Sequence, residues 1–319
     1  MSVRILKPGL CTTVQDLGRW GYAHLGFSAS GAFDRRAYRL GCILMGEQPG
    51  APALEFLEQG PELEFSRTTL FCLTGAVFDS RLDGRKVRPW RVTEARAGSV
   101  LSIGHCLQGR AGYLHAAGAG FAATLQMGSA STSVRFKLGG IEGRPVRTGD
   151  ILPLGKGPIN ARAGAFLANA ESYYGFFDEP LLIRMVPGAQ IGRFSPQALQ
   201  AFFNCSYAVE AKSDRMGVRL RGKAVLPEGG ADIVSEGIPL GSIQVNGAGQ
   251  PMVMLADHQT VGGYAKLGVV ARVDLPRLVQ ARPGRHIRFV PTSVEGAQHL
   301  LASERRAEEA LLAHVLQAR

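Results

Sequence analysis

A short motif recurs three times along the chain and predicts where strands begin. It reads Arg, any residue, Gly, two further residues and then alternating apolar positions. The glycine suits a tight turn, and the period-two alternation after it is typical of a half-buried β-strand. The copies begin at Arg96, Arg147 and Arg282 and predict strands over residues 101–103, 152–154 and 287–289.

Apolar runs between Gly-rich turns predict five more strands, over residues 70–74, 111–116, 181–186, 217–220 and 252–256. Helical periodicity is scarce. It predicts a helix over 32–44 opened by Ser30 and Gly31, one over 195–203 with Ser195 as N-cap, and one over 293–317. Many short, glycine-punctuated segments and few helices together favour a mainly β fold.

A loop of small residues over 155–170 indicates a domain boundary. We expect an N-terminal β subdomain over 1–170, a second β subdomain over 180–292 and a C-terminal helix over 293–319. The last helix carries an apolar stripe among Glu and Arg, so it either caps the domain or docks a partner.

Composition narrows the function classes. The chain has 319 residues and a net charge of +10, but its basic residues are scattered singly. This argues against a nucleic-acid surface, and an acidic partner protein or a carboxylate substrate explains the excess equally well. Five cysteines without a CxxC pair favour a reducing, cytoplasmic location over a disulfide framework or a zinc site. We expect no signal peptide and no membrane span.

Familiar catalytic signatures are missing from the sequence. It has no phosphate-binding loop, no dinucleotide glycine fingerprint, no G-x-S-x-G elbow, no H-E-x-x-H and no biotin-carrying Met-Lys-Met. The chain therefore shows no recognisable nucleotide, metal or cofactor machinery of its own.

The densest polar segment follows the predicted strand over 252–256. A site for a small amide needs acceptors for N–H, donors for C=O and exposed backbone N–H groups at glycine, and this segment offers all three. The candidate catalytic residues are Asp257, Gln259 and Lys266. The candidate substrate-binding residues are Gln15, Asp16, Arg19, Arg215, Ser235, Glu236, Gln244, Thr260, Gly262, Gly263 and Tyr264. For Gln15, Asp16 and Arg19 a structural alternative stays open, in which Asp16 caps a turn and pairs with Arg19.

Several motifs occur in a distinctive order. They are Thr13-Val-Gln15-Asp16-Leu-Gly18-Arg19, Ser30-Gly31-Ala32-Phe33-Asp34, Gly128-Ser129-x-Ser131-Thr132, Ser213-Asp214-Arg215-Met216-Gly217, Ser235-Glu236-Gly237 and Asp257-x-Gln259-Thr260-x-Gly262-Gly263-Tyr264. This order resembles the allophanate hydrolase subunit 2 family, also called the KipA or biotin-dependent carboxyltransferase family. The chain departs from the family pattern at Ala130, where Arg is usual, and at Cys42 and Glu47, where Asn is usual.

The resemblance implies two cyclophilin-like β-barrel subdomains. It also implies the C subunit of an ATP-dependent 5-oxoprolinase, which opens 5-oxoproline to glutamate. Its partners would be the KipI-like B subunit and the lactam-utilisation A subunit, and it would be active only in that complex. Asp257 would act as general base or orienting acceptor, Gln259 and the Gly262 and Gly263 N–H groups would stabilise oxyanion charge, and Arg19, Arg215 and Lys266 would hold carboxylate or phosphate.

Two alternatives remain from the same resemblance. One is the carboxyltransferase component of a biotin-dependent urea or amide carboxylase, with biotin carried on another protein. The other is a non-catalytic regulator that binds a KipI-like kinase inhibitor. Neither alternative calls for a metal in this chain.

Overall fold

The protein is mainly β and divides into two compact units. The computed structural model describes the backbone of residues 1–317 and the side chains of residues 1–315. Unit 1 comprises Met1–Trp20, Ser30–Tyr173 and the chain from Arg306 onward, and unit 2 comprises Gly21–Ala29 and Tyr174–Arg305. Strands hold 36% of the residues and helices 19%, which confirms the predicted fold class.

Unit 1 is built on a nine-stranded antiparallel sheet that forms a half-barrel. Its strands are β1 (Ser2–Lys7), β2 (Cys11–Gln15), β3 (Ala53–Leu57), β4 (Glu62–Phe65), β5 (Thr69–Leu82), β6 (Arg85–Lys86), β7 (Thr93–Ala95), β8 (Val100–Ala116) and β9 (Ile151–Pro153). The main path runs β2-β3-β8-β4-β1-β9, and β5 pairs with β6, β7 and β8.

The long pair β5–β8 shapes this sheet. Its register shifts three times between Gly75 and Ser80, and such bulges bend and twist a ribbon. The bend wraps the sheet around a core that includes Phe56, Phe65 and Phe71, each at most 1% exposed. At about 25 cal/mol per Å² of apolar surface removed from water, burial of this core stabilises the unit.

Helix α1 (Arg35–Leu44) packs on this sheet and starts later than the sequence indicates. The predicted start at residue 32 is wrong because Asp34 has an extended backbone, with φ of −99° and ψ of +91°, so the helix begins only at Arg35. Asp34 is the N-cap instead, and its side chain accepts a hydrogen bond from the Ala37 N–H at 2.9 Å.

Unit 2 is a closed seven-stranded barrel with the order β10-β17-β14-β15-β12-β11-β18. These strands are β10 (Leu181–Pro187), β11 (Tyr207–Val209), β12 (Gly217–Arg221), β14 (Ser242–Val245), β15 (Pro251–Met254), β17 (Lys266–Val270) and β18 (His286–Pro291). A separate two-stranded ribbon pairs β13 (Asp232–Gly237) with β16 (Val261–Tyr264). The helices are α2 (Pro196–Asn204), α3 (Leu275–Val279) and α4 (Val294–Gln317).

The recurring Arg-x-Gly motif behaves as predicted. Gly98, Gly149 and Gly284 have φ of +80°, +89° and +85°, and β8, β9 and β18 each begin two residues later. The predicted helices α2 and α4 are also present, whereas the short α3 was not predicted. The strand predicted over 252–256 ends at Met254, so Asp257 lies in the turn beyond it.

Candidate functional site

Several of the polar residues predicted for the site lie on or beside the β13–β16 ribbon of unit 2. Gln244 on β14 pairs in register with Met252 on β15 and with Lys266 on β17. Met252 in turn pairs with Arg219, which is exposed. Paired residues point to the same side of a sheet, so Gln244 lies on the outer face of the barrel.

Gln244 is nevertheless only 2% exposed. A Cβ built on Gly262 would lie 3.2 Å from its Nε2 and 2.5 Å from Ile238 Cδ1, so the ribbon lies close against the carboxamide at this glycine. Neither Nε2 nor Oε1 of Gln244 has a hydrogen-bond partner among the described residues. A buried amide without hydrogen-bond partners lowers the free energy of unfolding by about 1–3 kcal/mol, and native proteins rarely contain one.

Lys266 is held beside Gln244 by a small polar network. Its Nζ forms an ion pair with Glu236 Oε1, and Gln190 Nε2 donates to the same oxygen at 2.6 Å. The Lys266 backbone N–H donates to Gln190 Oε1 at 2.8 Å. The hydrogen bond from Lys266 lowers the pKa of Glu236, so this carboxylate stays ionised and the ammonium group is fixed near the ribbon.

Asp257 forms an ion pair with Arg215. The Arg215 Nε donates to Asp257 Oδ2 at 2.8 Å and Nη2 donates to Oδ1 at 3.3 Å, and both side chains are largely buried. The Asp257 N–H also donates to the Arg215 carbonyl at 2.9 Å. This two-point contact holds the carboxylate in a defined orientation, which suits an orienting acceptor better than a mobile general base.

His258 is a candidate that the sequence reasoning missed. Its Nδ1 lies 2.6 Å from the Gln259 carbonyl oxygen, which can only accept, so Nδ1 carries the proton and Nε2 can accept one. Burial lowers the pKa of His258, so the ring is neutral at pH 7. Its position between Asp257 and Gln259 was the signal that could have identified it.

The remaining predicted residues of unit 2 lie on or next to the ribbon. Glu236 pairs in register with Gly262, and Asp232 with Tyr264, which is 42% exposed. Ser235 is exposed, and its Oγ would lie 3.2 Å from a Cβ at Gly263. Thr260 accepts a backbone hydrogen bond from Ile238, and Gln259 is half-buried. The structure thus brings Glu236, Gln244, Gly262 and Lys266 together. The Asp257–Arg215 pair lies at the turn between β15 and the ribbon.

The three predicted residues of unit 1 form a buried network of their own. The Asp16 carboxylate accepts hydrogen bonds from the Gly18 N–H at 2.7 Å, the Ser129 hydroxyl at 2.6 Å, the Ser131 hydroxyl at 2.5 Å and the Ala130 N–H at 2.6 Å. Asp16 therefore caps the turn, as in the structural alternative given for this segment from the sequence. Ala130 is fully buried and supplies a backbone donor to this network.

Arg19 and Gln15 complete that network. Arg19 is 1% exposed and donates to the Ser131 carbonyl, so its guanidinium is held against the backbone of the segment that also binds Asp16. Gln15 Nε2 donates to Thr13 Oγ1 at 3.0 Å and to the Thr132 carbonyl at 3.1 Å. These contacts give all three residues a framework role, and substrate binding by them stays a prediction.

No group of three or more His, Cys, Asp or Glu side chains is placed to hold a metal ion within the described residues. Over the same part of the chain, no helix has both the length and the apolar character needed to cross a membrane.

Comparison with known proteins decides the family. Residues 25–291 match the carboxyltransferase domain family, subdomains A and B. The chain belongs to this carboxyltransferase family. It is 35% identical over 290 residues to the C subunit of 5-oxoprolinase from Haemophilus influenzae, with 90% of each chain covered. It is 34% identical over 310 residues to the C subunit of 5-oxoprolinase from Escherichia coli, with 97% of each covered.

A solved carboxyltransferase-family structure is similar over nearly the whole chain. The urea carboxylase of Kluyveromyces lactis superposes with a TM-score of 0.88 at 28% identity, covering 97% of this chain and 29% of that one. The family predicted from the motifs is thereby confirmed.

Proposed function

We propose that this chain is the C subunit of an ATP-dependent 5-oxoprolinase and acts in complex with KipI-like and lactam-utilisation partner proteins. The near full-length similarity to two proteins of that name supports the reaction class. The observation in the structure that carries the proposal is the buried Gln244 carboxamide, whose donor and acceptor lack partners in the described part of the chain.

A carboxamide presents an N–H donor and a C=O acceptor on one edge. A lactam ring forces its amide into the cis form, so its own N–H and C=O also lie side by side. The two edges therefore match through a pair of opposed hydrogen bonds, each contributing about 0.5–1.5 kcal/mol. An ordinary trans peptide cannot offer this edge. We infer that Gln244 selects cis amides.

Access to Gln244 requires the ribbon to move, because Gly262 lies over the amide. The β13–β16 ribbon has three register pairs with a shift between Asp232 and Glu236, so opening it would break few strand contacts together with the contacts of Glu236 to Lys266 and Gln190. Opening of this ribbon would admit the ligand, and closure would exclude water.

The other groups fit hydrolysis of an amide held in this way. His258 Nε2 can accept a proton from an attacking water, and Asp257 near it favours the imidazolium that results. The Gly262 and Gly263 N–H groups and the Lys266 ammonium are suited to developing negative charge on the lactam oxygen. When bound, ATP supplies the phosphoryl group and free energy that activate this oxygen. Over the whole reaction, water would supply the new carboxylate oxygen, the ring C–N bond would break with its nitrogen taking up a proton to become the amine of glutamate, and ATP would leave as ADP and inorganic phosphate.

The first test is reconstitution with both partner proteins. Glutamate and phosphate release from 5-oxoproline and ATP should require all three chains. Absence of cleavage by the complete wild-type complex would exclude the proposed reaction.

The second test separates function from folding at Gln244. Gln244→Leu should lower kcat/KM for 5-oxoproline by about 100-fold, since two hydrogen bonds are lost. The free energy of unfolding of this variant should equal that of the wild type or exceed it by about 1–2 kcal/mol, because an unpaired buried amide is replaced by an apolar group of similar size. The matched control is Gln298→Leu at an exposed site. Unchanged kcat/KM, or a large loss of stability, would contradict the role of Gln244.

Asp257→Asn in the same complex should abolish turnover without unfolding the chain, because it removes the charge that orients Arg215 and favours protonated His258. Full activity of this variant would exclude the role given to Asp257.

A second function is supported by the similarity to urea carboxylase. Urea offers the same adjacent N–H and C=O edge, so Gln244 would serve a biotin-dependent carboxyltransferase equally well. Transfer of a carboxyl group to urea from a biotin-carrying partner, with no 5-oxoproline cleavage, would favour this alternative.

A further inference from the structure

An open basic groove lies on unit 1 and is lined by residues between Leu82 and Ser99. Its volume is about 780 Å³. Its lining includes five basic side chains, Arg85, Lys86, Arg88, Arg91 and Arg96, and two acidic ones, Asp83 and Glu94. The chain as a whole scatters its basic residues, so this concentration is a local feature of the β5–β6–β7 edge.

A tight turn builds the groove. Asp83 and Gly84 join β5 to β6 with φ of +49° and +78°, as a two-residue Asp-Gly hairpin requires. Asp83 Oδ1 accepts a hydrogen bond from the Val100 N–H at 2.8 Å, and this bond lowers the pKa of Asp83. The Asp83 carboxylate is therefore held by a backbone hydrogen bond, and Arg85 and Lys86 are exposed.

Asp83 interacts electrostatically with Arg85, and three further cations of the groove have no acidic partner in an ion pair among the described residues. Within the described residues, Lys86, Arg88 and Arg96 make no ion pair at 4.0 Å or less, and all three are exposed. Arg91 lies over the Phe166 ring at 5.9 Å. Like charges gathered in one groove repel each other, and an anionic partner would relieve that repulsion.

We propose that this groove docks an acidic segment of a partner polypeptide. The groove is open and its cations project from strands and turns, which suits separate carboxylates along a chain. A small phosphate ligand would call for an enclosed pocket or converging backbone N–H groups. A single-stranded nucleic acid would call for aromatic stacking surfaces, and the groove lining includes none.

The test compares two triple variants of the full-length chain. The groove variant is R85E/K86E/R88E. The matched control is R219E/R221E/K223E, three exposed residues of unit 2 that include the same residue types and give the same change in net charge. Binding of fluorescein-labelled poly-L-glutamate is followed by anisotropy at low salt and at about 0.3 M salt. Folding is checked by circular dichroism.

We expect the groove variant to bind the probe at least about 10-fold more weakly than the wild type. The control variant should bind the probe within about threefold of the wild-type affinity, and salt should weaken binding by the wild type and by the control. Equal weakening in both variants would show a general charge effect and overturn the proposal. Preferential, groove-dependent binding of tripolyphosphate or duplex DNA in place of polyglutamate would also overturn it. If the groove variant does not fold, R85Q/K86Q/R88Q carries the same test with a smaller charge change.

Discussion

Asp16 stabilises the framework of unit 1 through its buried carboxylate. It is 7% exposed, and its carboxylate accepts four hydrogen bonds from residues 18, 129, 130 and 131. The segment 128–132 is distant from Asp16 in sequence, so these bonds tie two loops together. Hydrogen bonds to a buried charged group are worth about 1.5–3 kcal/mol each, although not additively.

We therefore expect Asp16→Ala to lower the free energy of unfolding by about 3–5 kcal/mol, because it leaves buried donors without an acceptor. Denaturation in urea measures this change. Asp79→Ala, at a partly exposed carboxylate, is the control and should change stability by less than about 1 kcal/mol. A loss below about 1 kcal/mol for Asp16→Ala would contradict the framework role.

Gln244 is also buried, but unlike Asp16 its side chain has no hydrogen-bond partner among the described residues. Its residue type and position predicted an amide-binding group, but nothing local predicted that it would be buried with both polar atoms unpaired. That property arises from Gly262, which lies 18 residues later in the sequence and covers it.

Helix α2 shows how local sequence sets an element. Ser195 accepts a hydrogen bond from the Ala198 N–H at 3.2 Å, and Pro196 occupies the first helical position, where its missing N–H costs nothing. Both signals lie within four residues, so the start of α2 was predicted from the sequence. The start of α1 was not, because Ser30 resembles a cap but Asp34 is the residue that caps the helix.

At the element scale we expect Ser195→Ala to lower the free energy of unfolding by about 1 kcal/mol and Ser195→Asp to retain most of it, because Asp also caps well. Thermal or urea denaturation of the two variants provides the measurement. Equal losses in both would show that the hydroxyl does not act as a cap.

For the whole molecule, the buried His115 makes stability depend on pH. Burial lowers the pKa of His115 to about 3, so the ring is neutral when the chain is folded. Its Nε2 lies 3.3 Å from Thr74 Oγ1, and a Cβ at Gly41 would lie 2.0 Å from it. The unfolded chain has an ordinary histidine pKa of about 6.5 and takes up a proton that the folded chain excludes.

Stability should therefore be full above about pH 6.5 and fall by about 1.4 kcal/mol per pH unit as the pH drops toward about 3. Between about pH 7 and about pH 5 this amounts to about 2 kcal/mol. Urea denaturation at both pH values measures the loss, and His115→Gln should reduce it by that amount. The exposed His105→Gln is the control and should leave the pH dependence unchanged. An equal pH dependence in wild type and His115→Gln would contradict the prediction.

The sequence by itself determined the β-rich class, the glycine turns before β8, β9 and β18, the positions of α2 and α4, and the family. These features depend on patterns within a few residues, where backbone sterics, capping and alternation act directly. Only the tertiary structure decided that Asp257 is paired with Arg215, that Gln244 is sealed beneath Gly262, and that the cations after β5 line one groove. Those outcomes depend on which strands pair and in which register, and on burial created by residues distant in sequence.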